Sequence, residues 1–263
     1  MRYPRRPPRT LNLMEHTQPN AGSRAAERER EAEREMEPIY GLYAALARDL
    51  DPETGLGGKL VYVGEPDAAG CRLLRAANIA GAASLTASAD SAVLRRAMRE
   101  GALDFVVTTL DEALRILKNE IRKKQPVAVG VSAAPEAIVF EMLDRGVQPD
   151  LLAPHLPAAP ELAAFAARGA RRVEPQPLPA GRNFSILPIP PDWNQPAAAF
   201  DAILLEALAP GDHLNRRWVR LAPRYLPAAT RRVRSVVCDV GAALELIVRI
   251  GDALPEETVN GEQ

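Results

Sequence analysis

Short apolar, β-branched segments alternate with amphipathic segments of helical periodicity from residue 59 to residue 152. The apolar segments predict strands, at residues 60–63, 82–86, 105–107, 127–131 and 150–152. The segments between them predict helices, at residues 67–79, 91–100, 110–122 and 135–145. Because parallel strands are joined by crossovers that are usually helical, this alternation predicts an α/β fold. The strands are almost continuously apolar, which predicts a parallel sheet with helices on both faces.

The residues at the predicted helix ends agree with this assignment. Asp67 and Asp90 stand where a side-chain oxygen can accept the first free N–H groups of a helix. Thr109, followed three residues later by Glu112, is typical of a capping box. Gly146 follows the last predicted helix at the position where glycine commonly ends one.

The chain before this region differs in composition. Residues 1–23 lack apolar periodicity and are predicted to be disordered, with Met14 and Met36 as alternative starts of translation. Residues 25–36 alternate Arg and Glu, which predicts a solvent-exposed helix. A partner-binding or RNA-contacting arm is the alternative. Together, residues 1–36 are interpreted as a disordered and charged helical N-terminal arm.

From residue 154 prolines interrupt the chain, and we predict a Pro-rich irregular and helical C-terminal part over residues 156–255. Nine prolines carry this interpretation: Pro154, Pro157, Pro160, Pro175, Pro177, Pro179, Pro188, Pro190 and Pro191. Within this part, strands are predicted at residues 184–189 and 233–239, and helices at residues 197–208 and 213–226. The chain after Asp252 is expected to be frayed, with residues 256–263 as its tail. Residues 37–155 form the predicted α/β domain.

The composition of the chain argues against several classes of partner and site. The net charge is −1 and aromatic residues make up 5% of the chain, so neither nucleic acid nor a membrane is an expected partner. The two cysteines, Cys71 and Cys238, are far apart in sequence and predict no zinc or disulfide framework. Residues 1–10 are basic without an apolar segment, which is not typical of a secretory signal. A cytoplasmic location is therefore expected.

The sequence GKLVYVGEPDAAGCRLLRAANIAGA at residues 58–82 resembles the first βαβ unit of urocanase, the enzyme that hydrates urocanate in histidine breakdown. The likeness continues without needing a gap through LDEAL at residues 110–114, and it resumes in GVSAAPEAIVFEMLDRGVQPD at residues 130–150. A weaker likeness is present at residues 213–239. The resemblance implies the middle, Rossmann-like domain of that family, in a degenerate and truncated form.

The family holds NAD and uses it as an electrophile, which implies a candidate cofactor site here. Its glycine-rich phosphate loop corresponds to GEPDAAGC at residues 64–71. Gly64 and Gly70 remain, and with Asp67 and Ala69 they are the candidate residues. Glu65 and Asp67 place carboxylates where two phosphates are expected, which is electrostatically unfavourable. An ordinary strand–helix turn capped by Asp67 is therefore the favoured interpretation.

On the ribose side, the family's glutamate corresponds to Ser88 and an arginine that contacts the cofactor corresponds to Val93. Asp90 either reaches a ribose hydroxyl or, as we favour, caps the next helix. Ser88 and Asp90 complete the candidate cofactor site. The expected cofactor is none, or NAD if the family's site is retained.

On the nicotinamide side, the family's Asn–Ala pair corresponds to Ala134 and Pro135, and its Gln-Thr-Ser-Ala-His segment to HLPAA at residues 155–159. His155 is interpreted as an exposed or structural histidine, with an acid–base role as the alternative. The stretch that carries the family's Phe-Cys-Glu and Arg-Trp signatures is reduced to residues 185–208, which contain neither Cys nor Arg. No catalytic residue and no metal site are predicted.

Three remaining features are interpreted as structural. Cys238 is predicted to be a core thiol, and Trp193 and Trp218 to be packing anchors. The arginine pairs are interpreted as solvated edges, with phosphate or acidic-partner binding as the alternative: Arg171–Arg172, Arg216–Arg217 and Arg231–Arg232.

We therefore expect a protein without hydratase activity that serves as a binding or assembly module, as a homo-oligomer or with a protein partner. About 57 residues precede the first matched segment, whereas the family carries long terminal segments outside this domain. The alternative is an enzyme or sensor that binds NAD, another nucleotide or a small metabolite.

Overall fold

The computed structural model describes residues 21–47, 51–175, 177–190 and 193–254. The helices are α1 Ala21–Leu46, α2 Ala68–Ala80, α3 Ser91–Arg99, α4 Leu110–Arg122, α5 Pro135–Asp144, α6 Pro160–Ala167, α7 Ala197–Ala207, α8 His213–Tyr225 and α9 Val240–Asp252. The strands are β1 Leu60–Gly64, β2 Ala83–Ala87, β3 Phe105–Val107, β4 Val127–Val131, β5 Leu151–Leu152, β6 Arg171–Arg172, β7 Asn183–Pro188 and β8 Val233–Cys238.

The first six strands form a parallel sheet in the order β3-β4-β2-β1-β5-β6. From β1 the chain crosses to β2 on one side, and it later returns to β5 on the other side. The boundary between β1 and β5 is therefore the point where the direction of winding reverses, and open parallel sheets bind ligands beyond the carboxyl ends of their strands at such a point. The predicted α/β fold with a Rossmann-like sheet is confirmed.

Helices cover both faces of this sheet, as predicted. One face packs against α1, α2 and α3, and the other against α4, α5 and α6. Strands β1, β2 and β4 are buried along their whole length, which explains why their sequences do not alternate. The capping box of Thr109 and Glu112 is present at the start of α4.

The C-terminal part is a two-stranded antiparallel sheet, β7 with β8, that has helices on both sides. Its outer face packs against α7 and α9 in a separate hydrophobic cluster. Its inner face joins the cluster of the parallel sheet, through contacts among Tyr40, Tyr43, Phe184 and Trp218. Helix α1 therefore connects the two sheets through aromatic packing.

Several elements differ from their predictions. Residues 21–23, predicted to be disordered, belong to α1, which continues through Pro38 to Leu46. The helix is not a fully exposed arm, because Ala32 and Met36 are buried against the core. Residues 1–20 and the predicted frayed tail at residues 256–263 lie outside the described residues.

The proline-rich segment also contains more regular structure than predicted. Helix α6 begins at Pro160, because proline fits the first position of a helix, where its missing N–H is not needed. Strand β6 and helix α9 were not predicted either. In the described part of the chain, no helix is both long and apolar enough to cross a membrane.

Candidate functional site at the carboxyl end of β1

The turn after β1 contains the first candidate glycine, Gly64. Its φ is +79°, a left-handed conformation that favours glycine. A Cβ placed there would lie 2.6 Å from Cδ2 of Leu156, so the leucine side chain packs directly on this residue. The Thr86 hydroxyl on β2 donates a hydrogen bond to the Gly64 carbonyl oxygen. The end of β1 is thus covered by a side chain from the loop after β5.

The second candidate glycine, Gly70, lies in the first turn of α2. A Cβ at this residue would lie 2.1 Å from the Glu65 carbonyl oxygen, so any side chain would displace the backbone of the turn. The Asp67 carboxylate accepts the Gly70 N–H at 2.8 Å and caps the helix, as predicted. Ala69 is half-buried in the same turn. Close packing within the turn explains Gly70, and the positive φ and the contact with Leu156 explain Gly64, without a ligand in either case.

The carboxyl ends of β1 and β2 are joined by a side-chain hydrogen bond. The buried Ser88 hydroxyl donates to Oε1 of Glu65 at 2.6 Å and accepts the Asp90 N–H at 3.1 Å. Asp90 caps α3 by accepting the Ala92 N–H at 2.7 Å, which confirms the favoured interpretation of this residue. Ser88 and Asp90, the candidate residues of the ribose side, thus lie next to the turn of the phosphate side, as a family site requires. The Ser88 hydroxyl, however, bonds to Glu65 and to the Asp90 N–H, and the Asp90 carboxylate caps α3.

Arg172 holds the loop that carries Leu156. This arginine lies on β6, and its Nη1 donates to the carbonyl oxygens of Leu156 at 2.8 Å, Pro154 at 3.3 Å and Ala153 at 3.4 Å. Sequence reasoning included Leu156 in HLPAA and Arg172 in an arginine pair, but it did not predict that either contributes to the candidate site. The only signal was the replacement of polar residues by HLPAA at residues 155–159.

The nicotinamide side of the candidate site is apolar. A cavity of about 100 Å³ lies between α5, α6 and the loop after β5, and is lined mainly by Tyr62, Val139, Phe140, Leu156 and Leu162. The Tyr62 hydroxyl donates to the Pro135 carbonyl oxygen at 3.1 Å, and burial raises the pKa of this hydroxyl well above its usual range. His155 is exposed, in agreement with its favoured interpretation.

The other predicted structural residues are buried. Cys238 is in the core beside Ser185, whose Oγ lies 3.6 Å from its Sγ. The Trp218 indole donates to the Ser235 hydroxyl at 2.9 Å, and Trp193 packs edge-on against Phe200.

The interpretation of the arginine pairs as solvated edges is wrong for several members, which donate to backbone carbonyl groups. Arg216 donates to Leu205 and Leu208 at the end of α7, and Arg217 to Ile79 at the end of α2. A helix ends with free carbonyl groups, and arginine is well suited to satisfy them. The interpretation holds for the third pair, because Arg231 and Arg232 are both exposed, although Arg232 also donates to the Pro190 carbonyl oxygen at 2.8 Å.

Among the described residues, no three His, Cys, Asp or Glu side chains are grouped so that they could hold a metal ion. The polar groups that sequence reasoning placed at the candidate site are instead helix caps and links between strand ends.

A comparison with protein-family models agrees with this architecture. Residues 45–169 match the model described as the urocanase Rossmann-like domain. The match begins in α1 and includes β1 to β5 and all of α6. It also contains the turn at residues 64–71 and the loop with Leu156, so the candidate site lies within the matched residues. Residues 45–169 of this chain are therefore similar to the urocanase Rossmann-like domain.

Proposed function

We propose that this chain is a urocanase-like protein without hydratase activity that acts as a binding or assembly module. The observation that carries the proposal is the packing of Leu156 on Gly64, where a Cβ would approach Cδ2 of the leucine to 2.6 Å. This contact lies at the winding reversal between β1 and β5, where an open parallel sheet admits its ligand.

The charges of the turn do not fit a diphosphate. The carboxylates of Glu65 and Asp67 are both on exposed residues of the turn. Asp67 already supplies the negative group that the N-terminus of α2 favours, because it accepts the Gly70 N–H. A pyrophosphate would face two like charges and a helix N-terminus that is already capped. We therefore propose that the chain does not hold NAD in the manner of its family.

The opposite edge of the site lacks the groups that would orient a nicotinamide ring. Ala134 and Pro135 occupy the start of α5, and residues 155–159 offer apolar side chains apart from the exposed His155. A carboxamide needs hydrogen-bonding partners when it is buried. These replacements support the absence of the family's chemistry.

The assembly role is supported by helix α9. Its inner side, including Leu246 and Ile250, is buried against β7 and β8. Its outer side exposes four large apolar residues, each more than half accessible: Val240, Leu244, Ile247 and Val248. A helix with apolar residues on two sides usually packs against other protein surfaces on both of them. Contiguous exposed apolar residues usually mark an interaction surface.

A second copy of this chain is the proposed occupant of the α9 surface. Glu245 and Arg249 form an ion pair beside the apolar stripe, with their atoms 2.7 Å apart. If two α9 helices pair in antiparallel fashion about Ile247, each Glu245 faces the other copy's Arg249. Opposite charges would then flank a continuous apolar contact, as a self-complementary two-fold interface requires.

Cofactor content and turnover test the absence of hydratase chemistry. Native mass spectrometry of the purified full chain is expected to show no NAD-sized addition, and urocanate is expected to remain unchanged when NAD is added. Bound NAD, or turnover of urocanate, would contradict the proposal.

Sedimentation analysis tests the assembly role. The full chain is expected to be a dimer, and Leu244→Glu and Ile247→Glu are expected to make it a monomer. Met98→Glu, which also changes an exposed apolar residue but lies on α3, is the matched control and should leave the dimer intact. A monomeric wild-type chain, or a dimer that survives both α9 substitutions, would rule out this surface.

The second candidate function is a nucleotide- or metabolite-binding enzyme or sensor related to urocanate hydratase. The observation that favours it is the exposed Asp90, whose Oδ1 accepts the Ala92 N–H while Oδ2 has no partner among the described residues. A ligand here would be held by Gly64, Asp67, Ala69, Gly70, Ser88 and Asp90. At 100 times its dissociation constant, such a ligand would stabilise the fold by about 2.7 kcal/mol. A flat thermal-shift screen of dinucleotides and mononucleotides would exclude this alternative.

A further inference from the structure

A second cavity lies on the side of α2 that faces away from β1. It has a volume of about 520 Å³ and is bordered by α1, α2, the end of α3 and the segment at Pro227 and Ala228. Helix α2 contributes residues one turn apart on one side of the helix: Ala68, Cys71, Arg72 and Arg75. We call it the α2 cavity. Its volume is in the range of small-molecule sites in proteins.

Arg75 is the unusual residue of the α2 cavity. It is 5% exposed, and among the described residues its guanidinium makes one hydrogen bond, from Nη2 to the Glu100 carbonyl oxygen at 2.7 Å. Its Nε and Nη1 are buried and contact no acceptor in the described part of the chain. An arginine stays protonated in proteins, so this buried positive charge has the carboxylates of Glu35 and Glu100 nearby but no hydrogen bond to either of them.

The rest of the cavity separates into charged and apolar parts. Arg72 and Arg99 add positive charge, while Glu35 and Glu100 add negative charge, so the three arginines exceed the two glutamates by one. Ile39, Cys71 and Pro227 supply apolar surface. Burial lowers the pKa of Arg75, and the nearby Cys71, Glu100 and Glu35 oppose this shift.

We propose that the α2 cavity binds a small organic anion, whose carboxylate or phosphate group pairs with Arg75 while its apolar part contacts Ile39, Cys71 and Pro227. A charged oxygen acceptor would satisfy Nε and Nη1, and hydrogen bonds to a guanidinium are among the strongest in proteins. The proposal does not depend on the turn after β1, because the two sites share only the helix α2.

Thermal-shift titration with matched aromatic probes tests this inference. Benzoate and phenyl phosphate carry the two candidate anionic groups on the same ring, and benzyl alcohol is the neutral counterpart. At constant ionic strength, at least one anion is expected to raise the melting temperature, and the larger effect identifies carboxylate or phosphate as the preferred group. Equal effects of all three probes, or no effect of either anion, would overturn the proposal.

Substitution of Arg75 tests whether the anion binds in the α2 cavity. Arg75→Gln is expected to weaken the apparent affinity for the effective anion at least about tenfold, because it removes a charged donor. Arg122→Gln, an exposed arginine at the end of α4, is the control and should bind like the wild type. If Arg75→Gln does not fold, the double variant Arg72→Gln/Arg99→Gln is measured in its place and is expected to bind the anion more weakly. Unchanged affinity in that variant would refute the site.

Alkylation of Cys71 reports on the location of the bound anion. This thiol lies in the α2 cavity and donates to the Pro66 carbonyl oxygen at 3.3 Å. The effective anion is expected to slow iodoacetamide modification of Cys71 in the wild type and not in Arg75→Gln. Unchanged modification of Cys71 under saturating anion would place the binding elsewhere and contradict the inference.

Discussion

The polar groups at the N-terminal turn of α2 and those on its outer side differ in whether the chain supplies their hydrogen-bonding partners. At its N-terminal turn, Asp67 accepts the Gly70 N–H, Ser88 donates to Glu65, and Leu156 covers Gly64. On its outer side, Arg75 keeps two nitrogen atoms without an acceptor among the described residues. In the turn after β1, these groups are thus paired or covered within the chain, whereas the guanidinium of Arg75 is only partly paired.

This difference shows that a retained scaffold and a retained site are separate properties. A buried polar group without a partner is unfavourable, so natural proteins satisfy such groups with the chain, with water or with a ligand. Where the chain supplies every partner, a ligand has little left to gain. Where the chain does not, a ligand or ordered water is the expected partner.

Among these substitutions, Gly70→Ala is expected to lower the free energy of unfolding the most. Alanine normally stabilises a helix relative to glycine by about 0.5–1 kcal/mol. Here the Cβ would lie 2.1 Å from a backbone oxygen, so we expect a loss of about 3 kcal/mol in the free energy of unfolding. Urea denaturation measures this loss. The control is Gly41→Ala in α1, where a Cβ has open space and should stabilise the protein.

Gly64→Ala is expected to destabilise the protein by about 2–3 kcal/mol, through its positive φ and its contact with Leu156. Gly146→Ala separates the two causes, because its φ of +68° has no neighbouring atom to meet a Cβ. That control should lose only about 1–2 kcal/mol. In a double-mutant cycle, Leu156→Ala should recover the contact part of the Gly64→Ala loss. Strict additivity of the two substitutions would show that Leu156 does not press on Gly64.

Arg172→Gln is expected to lower the free energy of unfolding by about 1–2 kcal/mol, since it removes charged donors from three carbonyl groups. Amide hydrogen exchange should accelerate at residues 153–157 more than elsewhere. Exchange that is unchanged there would mean that the loop is held by other contacts, and the cover over Gly64 would not depend on β6.

The smallest effect is expected for Arg75→Met. Loss of one hydrogen bond to the Glu100 carbonyl oxygen is offset by removal of a buried charge that has no hydrogen bond to a carboxylate among the described residues, so stability should change by no more than about 1 kcal/mol. The matched control is Arg234→Met. Arg234 is equally buried but is paired with Asp201 through Nε and Nη2, so its replacement should cost about 2 kcal/mol or more. Equal losses at both arginines would show that Arg75 has a partner after all.

Sequence reasoning predicted the parts of the fold that depend on local pattern. The strands from 105–107 and 127–131 have the predicted ends, and Asp67, Asp90 and Thr109 cap the helices that they precede. These assignments succeed because periodicity and capping act within a few residues.

The features that were missed have either an ambiguous local signal or no local signal in the sequence. Helix α6 was hidden by Pro160, which starts the helix and does not interrupt the chain. The cover over Gly64 joins residues 92 positions apart in the chain, and the bond from Ser88 to Glu65 crosses between strands, so neither has a local signal. The missing partner of Arg75 is visible only once burial and hydrogen bonds are known in three dimensions.

Amide hydrogen exchange at residues 64–71, measured with and without millimolar NAD, shows whether the turn after β1 can accept a dinucleotide. If the chain itself completes this turn, NAD leaves the exchange of these amides unchanged. Slower exchange at Ala68, Ala69 and Gly70 in the presence of NAD would show that a dinucleotide binds at the start of α2, and would contradict the account.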